Sequence, residues 1–331
     1  MKINKILLTI LLMNLLYAGS GLSGDLITVQ PVTDKILQVT FGEGHIDYFG
    51  KGENRYNGNT CYYSALNISA ATDPANYSII SSNDSNYSDP VNPVNIGRKR
   101  KGVDFNNLYD ANEPRVLFQH WIYIELPHPL VSGKTYTVTL NNIAKNFNVF
   151  DFTFNELTLL SPTLHVNQIG FVPDAPKYAY LSLFMGDFNT EVHQNGGLEL
   201  DEYAGNQFHV VRVRDDSVVF TGTIEKRTDK NTTSDFINNQ FENKSSVTRA
   251  DIWQCDFSAF NTEGEYRIAV EGVGCSYPFE IAADVYREPF YYASKAMFTH
   301  RQRTVQDLSY YWDGLEYTPD HRTEEDLKMY Y

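Results

Sequence analysis

The sequence predicts a mainly β chain: two tandem β-sandwiches followed by a short helical stub. Three observations carry this prediction. Apolar residues alternate at period two through most of 25–281, Pro, Gly, Asn and Asp punctuate those runs, and the period changes to that of a helix after Ile281. The length of 331 residues suits two ordinary domains and a remainder.

The first residues carry the three parts of a secretory signal: Lys2 and Lys5, an apolar run from Ile6 to Leu16, and the small residues Ala18, Gly19 and Ser20. Residues 1–20 are therefore expected to direct export and to be removed, leaving a secreted protein, periplasmic or extracellular. A bilayer span needs about 20 apolar residues. This run is shorter and contains Thr9 and Asn14, so no membrane contact is expected after cleavage, an uncleaved anchor being the alternative. The first cysteine is Cys61, too far along to carry a lipid next to the cleavage site. Three cysteines cannot all pair within one chain. Cys255 and Cys275 either bridge or remain a reduced, buried pair.

The first sandwich is placed at 25–155. Leu37, Val39 and Phe41 alternate with Gln38 and Thr40, and Tyr136, Val138 and Leu140 alternate with threonines, the mark of strands with one buried face. Val116, Phe118, Ile122 and Ile124 share a parity with His120, which reads as a satisfied histidine at the sheet core. Pro127, Pro129 and Gly133 close these strands. The stretch 67–95, rich in Asn, Ser and Pro and holding sequons at Asn67, Asn76, Asn83 and Asn86, is expected to be a long surface excursion. The basic run Arg98–Lys101 reads as a solvated loop, gripping of an acidic polysaccharide being the alternative.

The second sandwich is placed at 160–283. Phe208–Val213 and Val218–Ile224 form a hairpin around Asp215, Asp216 and Ser217, and Trp253, Cys255 and Phe257 share one strand face. Tyr266, Ile268 and Val270 point one way, and Tyr277, Phe279 and Ile281 repeat the pattern with Pro278 on the opposite parity. By pattern the arrangement is immunoglobulin-like. From 284 to 331 the helical grammar takes over. Pro289 suits a first helical turn, and Phe290, Ala293 and Met297 recur as a packing stripe, widened by Ala296 and Phe298.

Two segments bracket the second sandwich: Leu164-His165-Val166-Asn167-Gln168-Ile169-Gly170-Phe171-Val172-Pro173 at its start, and Gly264-Glu265-Tyr266-Arg267-Ile268-Ala269-Val270 with Cys275-Ser276-Tyr277-Pro278-Phe279-Glu280-Ile281 at its end. Together they resemble the immunoglobulin-like domain that precedes the catalytic barrel in cellulases of glycoside hydrolase family nine. Tyr291–Arg301 looks like the first helix of that (α/α)6 barrel. The resemblance covers about 164–303 and implies a secreted endo-β-1,4-glucanase that inverts configuration and acts on β-glucan or a related plant polysaccharide.

Inverting hydrolysis needs one protonated carboxyl and one carboxylate about 6.5–9.5 Å apart across the scissile bond. The Asp-Ala-Gly-Asp type segment that carries the base in that family is not found in this sequence, and Asp174-Ala175-Pro176 is no substitute. Glu316, Asp320, Glu324, Glu325 and Asp326, near His321 and Arg322, read as a solvated loop or helix start. No catalytic residue is therefore assigned. A six-hairpin barrel needs on the order of 200 residues. Far fewer follow Ile281, so only the start of the catalytic domain is expected here, and its missing remainder is an expected partner.

His165, His300 and His321 are too scattered for zinc, and no Cys-x-x-Cys spacing, phosphate loop or Gly-x-Ser-x-Gly elbow occurs. No cofactor is identified; calcium in a loop stays open, unsupported by a motif. A formal net charge of −14 argues against nucleic acid and anionic membranes and leaves neutral glycans compatible. Trp121 and Tyr123, on the strand face opposite Ile122 and Ile124, are the candidate substrate-binding residues, since flat rings cover the apolar faces of sugars. The alternative is that both rings pack against the second sandwich. The leading functional expectation is the amino-terminal portion of a secreted family-nine-type endoglucanase. The alternative is a non-catalytic glycan-binding or surface-attachment protein.

Overall fold

A computed structural model of the protein describes residues 24–47, 60–105, 116–230 and 250–299. The expected signal at 1–20 and the carboxylates of 316–326 lie outside the described residues. The fold is mainly β, and the chain divides into two compact units, Met1–Ala283 and Asp284–Tyr331.

The first region supplies β1 (Asp25–Thr33), β2 (Ile36–Gly42), β3 (Gly44–Asp47), β4 (Thr60–Tyr63), the one-turn helix α1 (Ile68–Ala71), β5 (Tyr77–Ile80), β6 (Asn95–Phe105), β7 (Val116–Glu125), β8 (Thr135–Leu140) and β9 (Val149–Thr153). One sheet runs β1-β2-β7-β6 and another β5-β8-β9, while β3 and β4 form a separate pair. Leu37, Val39, Phe41, Ile122 and Ile124 from the first sheet meet Tyr77, Ile79, Tyr136, Val138 and Leu140 from the second in one apolar core. The period-two face read from the sequence is the face that is buried.

The second region continues with β10 (Leu164–Val166), β11 (Tyr178–Leu181), β12 (Gln207–Arg212), β13 (Val218–Thr223), β14 (Glu225–Thr228), β15 (Ile252–Asp256), β16 (Gly264–Val270), β17 (Gly274–Cys275) and β18 (Phe279–Ile281). One sheet is ordered β10-β11-β15-β14; the other is β13-β12-β16-β17, with β18 also paired to β16. The expected hairpin is present as β12 and β13, and Asp216 takes φ 56° in its turn. Leu164, Ala179, Leu181, Trp253 and Cys255 face Phe208, Val210, Tyr266, Ile268, Val270, Phe279 and Ile281 in a second core.

Val32, Ile36 and Tyr123 of the first region belong to that second core. Strands β2 and β7 are therefore covered on both faces. Even Gln38 and Thr40, on the face expected to be polar, are 4% and 2% exposed. Ser161 Oγ and Thr163 Oγ1 both donate to Val32 O, at 3.0 and 2.8 Å. Asp34 N donates to Gly272 O at 2.6 Å. At the far end of the junction, a Cβ on Gly97 would lie 2.2 Å from Phe188 Cα, and Gly186, at φ +70°, leaves no room for a side chain beside Arg98 O. Both glycines are required by backbone-to-backbone approach. The two regions meet through main chain and apolar side chains, with no space for a linker's freedom.

Three expectations are corrected. Residues 67–95 lie largely at the surface, but they are not a plain surface excursion. Asn67, Asp73 and Asp84 cap short helical turns with their side chains, and Tyr77, Ile79 and Tyr87 are fully buried. Part of the polar composition serves as caps, and most of the remaining polar residues are exposed. Arg98–Lys101 lie within β6, an edge strand on which charge discourages further pairing, rather than in a loop. Tyr277 does not continue the buried face of Phe279 and Ile281; it is 55% exposed, because pairing begins only after Pro278.

In the second unit α2 (Arg287–Thr299) forms with Pro289 in its first turn. Phe290 is 73% and Met297 75% exposed, so these two members of the stripe expected to pack are largely uncovered.

Candidate functional site

Strand β7 places Trp121 and Tyr123 on the face that meets the second region. Tyr123 is 1% exposed within the second core, and Trp121 is half-buried against its edge. Lys99 sets its ammonium 5.3 Å from the Trp121 ring centre and donates to Phe184 O at 3.1 Å. Burial, then the neighbouring Lys101, hold the Lys99 ammonium below its ordinary pKa. The structure thus brings both residues to the junction, where the Tyr123 ring has no solvent-facing surface.

On the opposite face of β7, His120 is 1% exposed. Its Nε2 lies 3.1 Å from Glu43 Oε1 and its Nδ1 3.3 Å from Arg98 Nη1. Burial lowers the His120 pKa against the pull of Glu43. A neutral ring donating from Nε2 and accepting at Nδ1 satisfies both neighbours. Each ring nitrogen has a structural partner, as the strand parity implied.

Glu199, Asp201 and Asp251 place carboxylate oxygens within 4.8 Å of one another, a spacing that could suit a cation. Cations of the chain already occupy it. Lys226 Nζ lies 2.6 Å from Asp251 Oδ2 and 2.7 Å from Asp201 Oδ1, and Lys230 pairs with Glu199. Asp251 is fully buried and also accepts from Lys230 N at 2.8 Å. Two ammonium groups offset most of the cluster's charge, and a divalent ion would have to displace them. The donor set fits an ion-pair network better than a metal centre.

Cys255 and Cys275 are free thiols, and burial raises both, Cys275 to about 12. Their low thiolate content makes nucleophilic chemistry unfavourable.

A different feature lies on the outer face of the β10-β11-β15-β14 sheet. Tyr178 and Tyr180 alternate with the buried Ala179 and Leu181, so both rings point outward, half-buried, with centres 6.4 Å apart and planes 24° apart. They line a cleft of about 270 Å³ with His165, Val166, Asn167, Phe171 and Pro176. Sequence reasoning passed over these tyrosines. The alternation in Tyr178-Ala179-Tyr180-Leu181 was the available signal, but four residues are a short run.

Residues 160–275 match the family model described as the cellulase N-terminal ig-like domain. Endoglucanase D of Acetivibrio thermocellus is 30% identical over 155 residues, which cover 47% of this chain and 19% of that protein. The chain thus spans about a fifth of the length of the curated relatives it matches. Among solved structures, a metagenome-derived glycoside hydrolase family 9 endoglucanase is similar at 24% identity, covering 40% of this chain and 20% of its own, with a TM-score of 0.29. The N-terminal part of the bacterial S-layer protein SbsC is similar at 13% identity over 78% of this chain and 43% of its own, with a TM-score of 0.24. By the family match and the Endoglucanase D similarity, the segment 160–275 is similar to the cellulase N-terminal ig-like domain.

Proposed function

We propose that this chain is the amino-terminal portion of a secreted endoglucanase of the family-nine cellulase type. In this reading, 25–155 and 160–283 are two immunoglobulin-like sandwiches in tandem, and α2 begins a helical barrel. Hydrolysis of β-1,4-glucan with inversion belongs to the whole enzyme. The two β regions serve it as a rigid, non-catalytic support. The observation that carries the reading is the match of 160–275 to the cellulase N-terminal ig-like domain. The continuous junction at Val32, Ile36 and Tyr123 supports the rigid-support part.

The test is an assay of reducing ends released from soluble β-glucan. The polypeptide 1–331 by itself is expected to release none, while a protein carrying the same residues joined to a complete barrel is expected to release them with inverted anomeric configuration. Hydrolysis by 1–331 alone, or no β-glucanase activity in the longer protein, would count against this reading. A second reading, a non-catalytic glycan-binding protein, is favoured by one observation, the tyrosine-lined cleft.

A further inference from the structure

We propose that the cleft between Tyr178, Tyr180 and the Asn167–Phe171 turn is a surface binding site for a short stretch of a neutral β-glucan chain. The choice of ligand rests on the β-glucan reading above; the site itself rests on geometry. Strand periodicity fixes both rings on the outer face, because Ala179 and Leu181 are committed to the core. The two rings are neighbours on one strand with planes 24° apart, and both contribute aromatic surface to the cleft, where it can meet the apolar parts of sugar rings.

Asn167 and Phe171 also line the cleft, held in place by the turn between them. Asn167 Oδ1 accepts from Ile169 N at 3.1 Å, and its Nδ2 donates to Gly170 O at 2.9 Å. Gly170 turns the chain at φ 118°. Phe171 is then tied to the sheet edge, its N donating to Glu280 O at 2.9 Å while its O accepts from Ala282 N at 3.1 Å. The Asn-Gln-Ile-Gly-Phe motif thus acts as a rigid side of the cleft. His165 sits opposite Tyr180 in the β10–β11 ladder and adds a polar edge.

Charge selects a neutral occupant. Arg227 stacks over Tyr180, 5.3 Å from its centre, and donates to its hydroxyl at 3.1 Å. Asp256 accepts from Ser258 N at 2.9 Å. These bonds hold the flanking side chains in place without removing their charge, but no Asp, Glu, Lys or Arg lines the cleft itself, and the net charge of −14 repels acidic polymers. A volume just under the roughly 300 Å³ at which enclosed ligand pockets begin suits part of a chain lying across the surface.

Cellohexaose is the probe, titrated calorimetrically into the intact chain. The Tyr178→Ala/Tyr180→Ala variant is expected to weaken binding by about ten-fold or more, and Tyr178→Phe/Tyr180→Phe to stay within about three-fold. Nitration of the wild-type protein, mapped by mass, supplies a readout independent of variant folding: cellohexaose should protect Tyr178 and Tyr180. Equal binding by the alanine variant, or protection confined to other tyrosines, would overturn the site. Absence of any binding to the wild type would overturn it too, leaving the hydrolysis assay to judge the endoglucanase reading. Binding of mannohexaose instead of cellohexaose, lost in the alanine variant, would keep the site and refute the β-glucan assignment.

Discussion

Replacing Tyr123 by alanine tests the junction at its centre. The ring is 1% exposed and sits on a first-region strand, yet it packs among second-region residues such as Leu164, Phe208 and Tyr266. Removing a buried aromatic side chain costs about 3–5 kcal/mol through lost burial and the cavity left behind. Tight packing on both sides, with β7 fixed between β2 and β6, limits collapse into the space and favours the upper half of that range. With a denaturant slope near 3 kcal/mol/M for a protein of this size, the urea midpoint should fall by about 1.3–1.7 M. Circular dichroism across a urea series reads that shift. Tyr123→Phe keeps the ring and should move the midpoint by about 0.3 M or less. An unchanged midpoint in Tyr123→Ala, together with lost retention on insoluble cellulose, would refute the packing argument and restore Tyr123 as a sugar platform.

Other outcomes follow from the same structure. Burial raises the Asp34 carboxyl to about 6, against the opposing bond from Tyr203 at 2.5 Å. A carboxyl more basic when folded than when unfolded contributes stability that is complete below its unfolded pKa near 3.8 and is lost as pH rises through about 6. Its difference of roughly two units corresponds to about 3 kcal/mol. Burial lowers His193 to about 4, and its contribution has the opposite sense, falling as pH drops below 6.5. The comparison of wild type with Asp34→Asn isolates the carboxyl: the stability difference between the two should grow in favour of wild type between pH 7 and pH 4, and a pH-independent difference would contradict it. Lys177, fully buried, donates to Pro173 O, Ala175 O and Asn261 Oδ1. Lys177→Met leaves those acceptors unpaired and should cost about 2–5 kcal/mol in urea unfolding, while a cost below about 0.5 kcal/mol would show that water replaces the ammonium freely.

Much of the strand grammar is legible in the sequence, because period two records which face of a strand is dry. β2, β8 and β16 bury Val39, Val138 and Ile268 as their alternation implies. What the alternation cannot record is a second cover on the other face. Gln38 and Thr40 read as solvent-facing, yet the second region closes over that side of β2. Local composition misleads in the same way around Tyr77 and Tyr87, where Asn and Asp side chains cap short turns and hide the buried rings between them. At Arg98–Lys101 the charge that suggests a loop is compatible with an edge strand, since only one side of β6 needs a partner. The candidate site shows the same limit. Trp121 and Tyr123 have the residue types and the shared face of a platform, but which face meets another region is a tertiary fact. Tyr178 and Tyr180 were identifiable only once their strand had a solvent side.

The shared core makes the two β regions one cooperative unit. Hydrogen exchange followed by mass spectrometry across a urea series can follow β8 (Thr135–Leu140) in the first core and β16 (Gly264–Val270) in the second. The shared residues Val32, Ile36 and Tyr123 predict that both strands lose protection at the same urea midpoint. Two separated midpoints, with β8 or β16 still protected after the other has opened, would contradict it.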